Sequence, residues 1–152
     1  MKPALLVIDI QNEFLPNMSE QDKKTAFDYI NGAIRRFHDK GFPVIRIYQA
    51  GPKPGSEAFE FPPSVLIKPE DPMIVKTYSN AFTKTGLEKL LKEKGCNMFF
   101  IPEDGGLGRP FPIELFDGRS GRPKQNAFAS LFQDQGRPET IPLHRFRGQA
   151  VL

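Results

Sequence analysis

Residues 4–10 read Ala4-Leu5-Leu6-Val7-Ile8-Asp9-Ile10, an apolar run broken by a single aspartate. A strand that is apolar on both faces must be covered on both faces, which suits the interior of a parallel sheet. The residues that follow supply what such a strand needs. After a loop with Asn12 and Pro16, Ser19 precedes an amphipathic stretch and Asp22 stands three residues later, in a capping-box-like arrangement. Ala26, Phe27, Ile30, Ile34 and Phe37 recur at helical spacing and define one buried face, and Gly41 lies where a helix would stop. Residues 43–48 read as a second strand. Strand, helix and strand together predict a right-handed βαβ crossover and an α/β fold.

Further along, residues 51–73 are rich in Pro, Gly and Glu and read as a long loop. A loop of that length inside a domain is expected to be functional or lid-like. Residues 73–76 form a short strand ending in Lys76. A second capping box, Thr85 to Glu88, is expected to open a helix through Lys94, with Leu87, Leu90 and Leu91 on its buried face and Gly95 as its stop. Asn97 to Ile101 reads as another buried strand. Beyond it the pattern fails. Only residues 125–133 suit a short helix, and Pro102, Pro110, Pro112, Pro123, Pro138 and Pro142 interrupt the rest.

Residue usage changes at the same place. Up to Ile101 the basic residues are mostly lysine; beyond it they are Arg109, Arg119, Arg122, Arg137, Arg145 and Arg147, with Lys124 the one lysine. Val and Ile become rare, leaving Ile113, Ile141 and Val151. The length of 152 residues suits one domain. A net charge of +3 is too small to indicate nucleic acid. The single cysteine excludes an intramolecular disulfide, and no Cys/His cluster exists for structural zinc. No apolar run suits a signal peptide or membrane span, so the expectation is a cytoplasmic protein with no membrane partner.

Two residues attract attention as chemistry. Asp9 ends a buried strand, and in a parallel sheet the crevice beyond the carboxyl ends of the strands is where ligands bind. It is a candidate general base, or else a loop or cap aspartate. Lys76 ends a strand on the same expected rim. It is suited to holding a substrate oxygen or lowering a nucleophile's pKa, or else it is a solvated surface lysine.

Around these two residues the chain resembles a known family. Leu6-Val7-Ile8-Asp9-Ile10-Gln11-Asn12-Glu13-Phe14 resembles the opening strand and loop of the isochorismatase-like cysteine hydrolases. The segment Ile74-Val75-Lys76-Thr77-Tyr78-Ser79-Asn80-Ala81-Phe82, continuing through Thr85 to Leu91, is similar to that family's lysine segment and following helix. The resemblance covers residues 1–101. It implies a three-layer α/β/α fold around a mostly parallel, Rossmann-like sheet, and an Asp–Lys–Cys triad in which the cysteine sits at a helix N-terminus. By resemblance Asp9 is the base and Lys76 its partner, with Phe14 and Phe82 lining the substrate pocket. It implies a small-molecule substrate and no cofactor. Some members, the nicotinamidases, add a metal held by Asp and His. The corresponding loop, Gln49-Ala50-Gly51-Pro52-Lys53-Pro54-Gly55, has no His, so no metal is inferred. His38 is expected on a helix and His144 in the tail.

One departure is decisive. The family's nucleophile follows the strand represented by Met98 to Ile101, whereas residues 102–112 contain no Cys, Ser or Thr. Cys96, the one thiol, precedes the strand, and a packing role is expected for it. The Gly105-Gly106-Leu107-Gly108 run lacks the GK[ST] ending of a phosphate loop. The chain is thus expected to be a single domain over 1–152, family-like over 1–101, with a divergent, truncated or frame-shifted tail over 102–152. Three functions stay open. One is a hydrolase of a small amide or related substrate, impaired or inactive for want of its cysteine. Another is a non-catalytic binding or oligomer-forming protein, with tail phenylalanines Phe111, Phe116, Phe128, Phe132 and Phe146 meeting a partner, most simply as a homo-oligomer. The third, nucleic-acid binding by the tail, is opposed by its interspersed acidic residues.

Overall fold

A computed structural model describes residues 2–103, 106–108 and 110–113. Strand β1 (Pro3–Ile8) pairs in parallel with β2 (Val44–Gln49) on one side and with β4 (Met98–Phe100) on the other, and β2 pairs in parallel with β3 (Met73–Lys76). A short strand β7 (Phe111–Pro112) closes the far edge antiparallel to β4, so the sheet runs β3-β2-β1-β4-β7. A two-stranded hairpin of β5 (Pro102–Glu103) and β6 (Gly106–Leu107) forms a second sheet, and Leu107 packs against the same cluster as helix α1 (Glu20–Asp39).

The alternation of β1 explains the three layers. Leu5 and Val7 face one cluster with Ile30, Ala33, Ile34 and Phe37 of helix α1 (Glu20–Asp39). Ala4 and Leu6 face the opposite cluster with Leu87 and Leu91 of helix α2 (Leu87–Glu93). A strand covered on both faces has no polar face, hence the continuous apolar run. β1 lies between β2 and β4, with α1 and α2 on opposite faces, so the strand order reverses at β1, and in open α/β sheets the carboxyl end of such a strand is where ligands bind.

Both helices end alike. Gly41 takes φ 64° after α1, while Phe42 N–H reaches the Phe37 carbonyl and Gly41 N–H reaches that of His38, at 2.8 and 2.9 Å. Gly95 takes φ 67° after α2, with Cys96 N–H on the Leu91 carbonyl and Gly95 N–H on that of Lys92, both at 2.9 Å. These are Schellman caps, whose last residue packs back on the helix. Phe42 does so at 5.9 Å from the Phe37 ring, and Cys96 joins the cluster containing Leu91. Cys96 is therefore a capping and packing residue, as expected of it.

The start of α1 follows expectation too: Asp22 N–H donates to Ser19 Oγ at 3.1 Å. The start of α2 does not. The helix begins at Leu87 and ends at Glu93, and Glu88 pairs with Lys92 at 2.6 Å rather than completing a capping box. Thr85 Oγ1 accepts the Leu87 N–H at 3.3 Å and donates to the Ala81 carbonyl, tying the helix start to the preceding turn.

Residues 50–72 contain no helix or strand, but the segment is not an open lid. Phe59 and Phe61 stack on Tyr48 with ring centroids 4.7 and 4.4 Å apart, and Val65 is buried in the same cluster. The Tyr48 hydroxyl is buried with no partner in hydrogen-bonding geometry, although Arg46 and the Phe61 backbone lie near it; burial dominates and pushes its pKa up. Tyr48→Phe removes an unsatisfied polar atom and keeps the ring stack. It is expected to leave stability unchanged or raise it by up to about 1 kcal/mol. A urea midpoint lowered by the same amount would mean that the hydroxyl has a partner.

The residues just past Ile101 differ from expectation. They were expected to carry no regular pattern, yet Phe111 and Ile113 are buried against β4, with Phe111 stacked on Phe99 at 5.2 Å. Phe111 is thus unavailable as an exposed partner contact. Phe116, Phe128, Phe132, Phe146, His144 and the 125–133 segment lie outside the described residues.

Candidate functional site

At the carboxyl ends of β1, β2 and β3 the sheet gathers Asp9, Gln49 and Lys76. Asp9 N–H still donates to the Ile47 carbonyl at 3.0 Å, the last rung of the ladder. Asp9 itself adopts φ 56°, a left-handed conformation that aspartate tolerates better than most residues. The chain leaves the sheet there, and the carboxylate turns toward Lys76. Asp9 Oδ2 and Lys76 Nζ lie 2.9 Å apart, with the lysine side chain 2% exposed and the aspartate 15%. Lys76 is not a solvated surface residue.

The ammonium is fully subscribed. Its three N–H groups face Asp9 Oδ2 at 2.9 Å, Gln49 Oε1 at 2.9 Å and the Ser79 carbonyl at 3.3 Å. With these three acceptors in place it has no donor left for a substrate oxygen, and the contact it does make holds the Asp9 carboxylate. Asp9 Oδ1 is buried without a hydrogen-bond partner. The open valence of the pair is therefore an acceptor on the aspartate. Burial raises the Asp9 pKa above its ordinary value, and the hydrogen bond and charge of Lys76 only partly oppose this.

Gln11 and Gln49 complete the arrangement, and neither stood out as a site residue from sequence. Gln11 is fully buried and bonds both backbone groups of Gln49: Gln49 N–H donates to Gln11 Oε1 at 2.6 Å, and Gln11 Nε2 donates to the Gln49 carbonyl at 3.1 Å. The available signal was a polar residue three positions beyond an apolar strand, too common to single out.

Phe14 is half-buried in a 3-10 turn (Asn12–Phe14) just after β1. Phe82 is half-buried after β3 and tilts against Phe99 at 5.4 Å, so part of its surface serves the α2-side core. His38 bonds Asp71 at 3.0 Å, at the end of the sheet opposite Asp9, where it borders an open depression with Lys2 and Lys94.

The thiol is also at that opposite end. Cys96 precedes Met98, which pairs with Pro3 at the start of β1, whereas Asp9 follows its end. The intervening strand spans about 20 Å. Burial also pushes the Cys96 thiol pKa up. Past β4 the described chain turns into the β5–β6 hairpin, and Gly106 and Leu107 form a strand rather than a phosphate-binding loop. Among the described residues no group of three or more His, Cys, Asp or Glu is placed to hold a metal, and no helix is long and apolar enough to cross a membrane.

This rim and its surrounding sheet have counterparts in known proteins. A family model described as the isochorismatase domain matches residues 3–101. The chain belongs to the isochorismatase family. The uncharacterized isochorismatase family protein YddQ of Bacillus subtilis (strain 168) is 32% identical over 110 residues, covering 66% of this chain and 61% of that protein. YrdC of the same organism, another uncharacterized isochorismatase family protein, is 31% identical over 127 residues, covering 79% and 66%. The chain thus spans less than two thirds of either relative's length. A crystal structure of an isochorismatase family protein superposes with a TM-score of 0.59 at 27% identity, covering 65% of this chain and 61% of that one. N-carbamoylsarcosine amidase from Thermoplasma acidophilum, at 21% identity, shares the fold with a TM-score of 0.58 over 66% of each chain. The family-model match ends at Ile101, where residue usage changes, whereas the match to YrdC, at 79% of this chain, runs past it.

Proposed function

We propose that this chain carries the Asp–Lys part of an isochorismatase-family hydrolase site for a small amide or related substrate, with Phe14 and Phe82 flanking it, and that it is impaired or inactive in hydrolysis. The observation that carries this reading is the Asp9–Lys76 ion pair at the sheet's carboxyl rim, with the one thiol at the other rim. A thiol placed against Asp9 Oδ1 would pass its proton to the carboxylate and attack the carbonyl carbon. The departing nitrogen would recover that proton from Asp9, and water would then cleave the thioester. A carboxyl whose pKa is raised is the stronger base for the first step, and an amidase of the same fold supports the reaction class. Cys96, about 20 Å away along the strand direction, is not placed to take part.

The expected result with a panel of small amides is no turnover above buffer. Hydrolysis that survives Cys96→Ala and disappears in Asp9→Ala would overturn the proposal.

A second reading is a non-catalytic, oligomer-forming protein of the same fold. Met73 and Val75, 50% and 42% exposed on the edge strand β3, favour it. Light scattering of the full chain distinguishes the two, since a monomer at all concentrations contradicts this reading. We further propose that residues 102–152 depart from the family by divergence, truncation or a frame shift. Packing of Phe111 and Ile113 on β4 supports divergence up to residue 113. The coding DNA tests the alternative, which needs a glycine turn followed by Cys in another frame after codon 101.

A further inference from the structure

Where Asp9 turns out of β1, strand β2 continues to Gln49, and the backbone N–H and C=O of Gln49 lose the neighbour that a continuing β1 would have supplied. The Gln11 side chain takes that neighbour's place. Its carboxamide accepts from the Gln49 N–H at 2.6 Å and donates to the Gln49 carbonyl at 3.1 Å, the two bonds a parallel rung would make. The Gln49 side chain is then set by its own two contacts: Nε2 on the Ala50 carbonyl at 3.4 Å and Oε1 on Lys76 Nζ at 2.9 Å.

We propose that Gln11 is a positioning residue: its amide stands in for the missing rung, holds Gln49, and through Gln49 fixes the Lys76 ammonium against Asp9. The role demands one donor and one acceptor on a single planar group, at a fully buried position. Glutamine meets this demand. Methionine lacks both groups, and an ionised glutamate lacks the donor and buries a charge. A residue that served only to fill space would have no such requirement. The importance of the position rests on the proposed role of Asp9 and Lys76; the geometry and its test do not depend on turnover.

The test reads the Lys76 ammonium itself by ¹H–¹⁵N NMR of the labelled full chain. An ammonium with three acceptors and 2% exposure exchanges its protons slowly, so wild type is expected to show its correlation, assigned by its loss in Lys76→Met. In Gln11→Met the exchange is expected to accelerate by about tenfold or more, the equivalent of one lost hydrogen bond. Gln49→Met is expected to do the same, and the double variant to add nothing further. Ile34→Val, which trims the core under α1 at a comparable cost in stability, is expected to leave the exchange unchanged. Gln11→Glu is a conservative rescue and serves if Gln11→Met does not fold. A protonated glutamic acid has one donor and one acceptor, so its exchange matches wild type at acid pH and exceeds it once the carboxyl ionises. Unchanged exchange in Gln11→Met, or in ionised Gln11→Glu, would overturn the positioning role, as would an equal acceleration in Ile34→Val. A wild-type ammonium that exchanges freely would overturn it too. Because no substrate enters the measurement, failure here and failure of the hydrolysis proposal are separate results.

Discussion

Lys76→Met is expected to destabilise the protein by about 3–5 kcal/mol at neutral pH, with a deficit that shrinks on acidification. The aliphatic stem is conserved in length, so most of the loss is electrostatic. Removing the ammonium strips Asp9 Oδ2 of its partner when Oδ1 already has none, and leaves Gln49 Oε1 and the Ser79 carbonyl without their donor. The pH dependence follows from the carboxyl. Burial holds the folded-state pKa of Asp9 above 3.8, so the folded protein binds that proton more tightly than the unfolded chain does. The stability this proton contributes is fully present below the unfolded pKa and is lost as pH rises through the folded one. Lys76 opposes the rise, so its removal pushes the folded pKa further up and enlarges the loss at neutral pH. Urea midpoints across a pH series measure this. A deficit independent of pH would mean that packing, and not the ion pair, holds Lys76 in place.

Phe99→Ala is expected to cost about 3–5 kcal/mol, the range for emptying a buried phenylalanine site. Phe99 is fully buried in the middle of β4, beside Ala4 of β1, with Phe82 at 5.4 Å and Phe111 stacked at 5.2 Å and 15°. One ring thus joins three parts of the chain: the central sheet, the segment after Lys76, and the residues past Ile101. Phe111→Ala is expected to cost about 2 kcal/mol, less because it lies at the sheet edge. The double variant should fall short of additivity, since the stacked pair is removed once. Chemical denaturation of the three variants tests this. Full stability in Phe111→Ala would mean that the Phe99–Phe111 stack contributes nothing to the folded unit.

The parts legible in sequence are those whose cause is local. An apolar run on both faces of β1 required a covered strand, a helical stripe from Phe27 to Phe37 required a face, and Gly41 and Gly95 required left-handed stops. Asp9 and Lys76 were visible because each ended a strand, and strands of one parallel sheet share a rim. Their pairing was legible only by resemblance, because its geometry depends on the left-handed turn at Asp9 and on β2 standing between them. Gln11 was hidden for the same reason: its partner is the backbone of Gln49, and a backbone group has no sequence signature. The capping box at Thr85 misled because Thr85 has a nearer acceptor in Ala81 and Glu88 a better partner in Lys92. Phe111 reads as a loop residue in sequence because prolines flank it; Pro112, at the sheet's outer edge, is where a strand tolerates a missing N–H.

Asp9 and Lys76 form one ion-paired unit at the carboxyl rim, the lysine fully buried and the aspartate largely so. Titration of the Asp9 carboxyl carbon by ¹³C NMR, in wild type and in Lys76→Met, reads that unit directly. The predicted result is a wild-type midpoint above 3.8 that rises further when the lysine is removed. A midpoint at the ordinary aspartate value, unmoved by Lys76→Met, would contradict it.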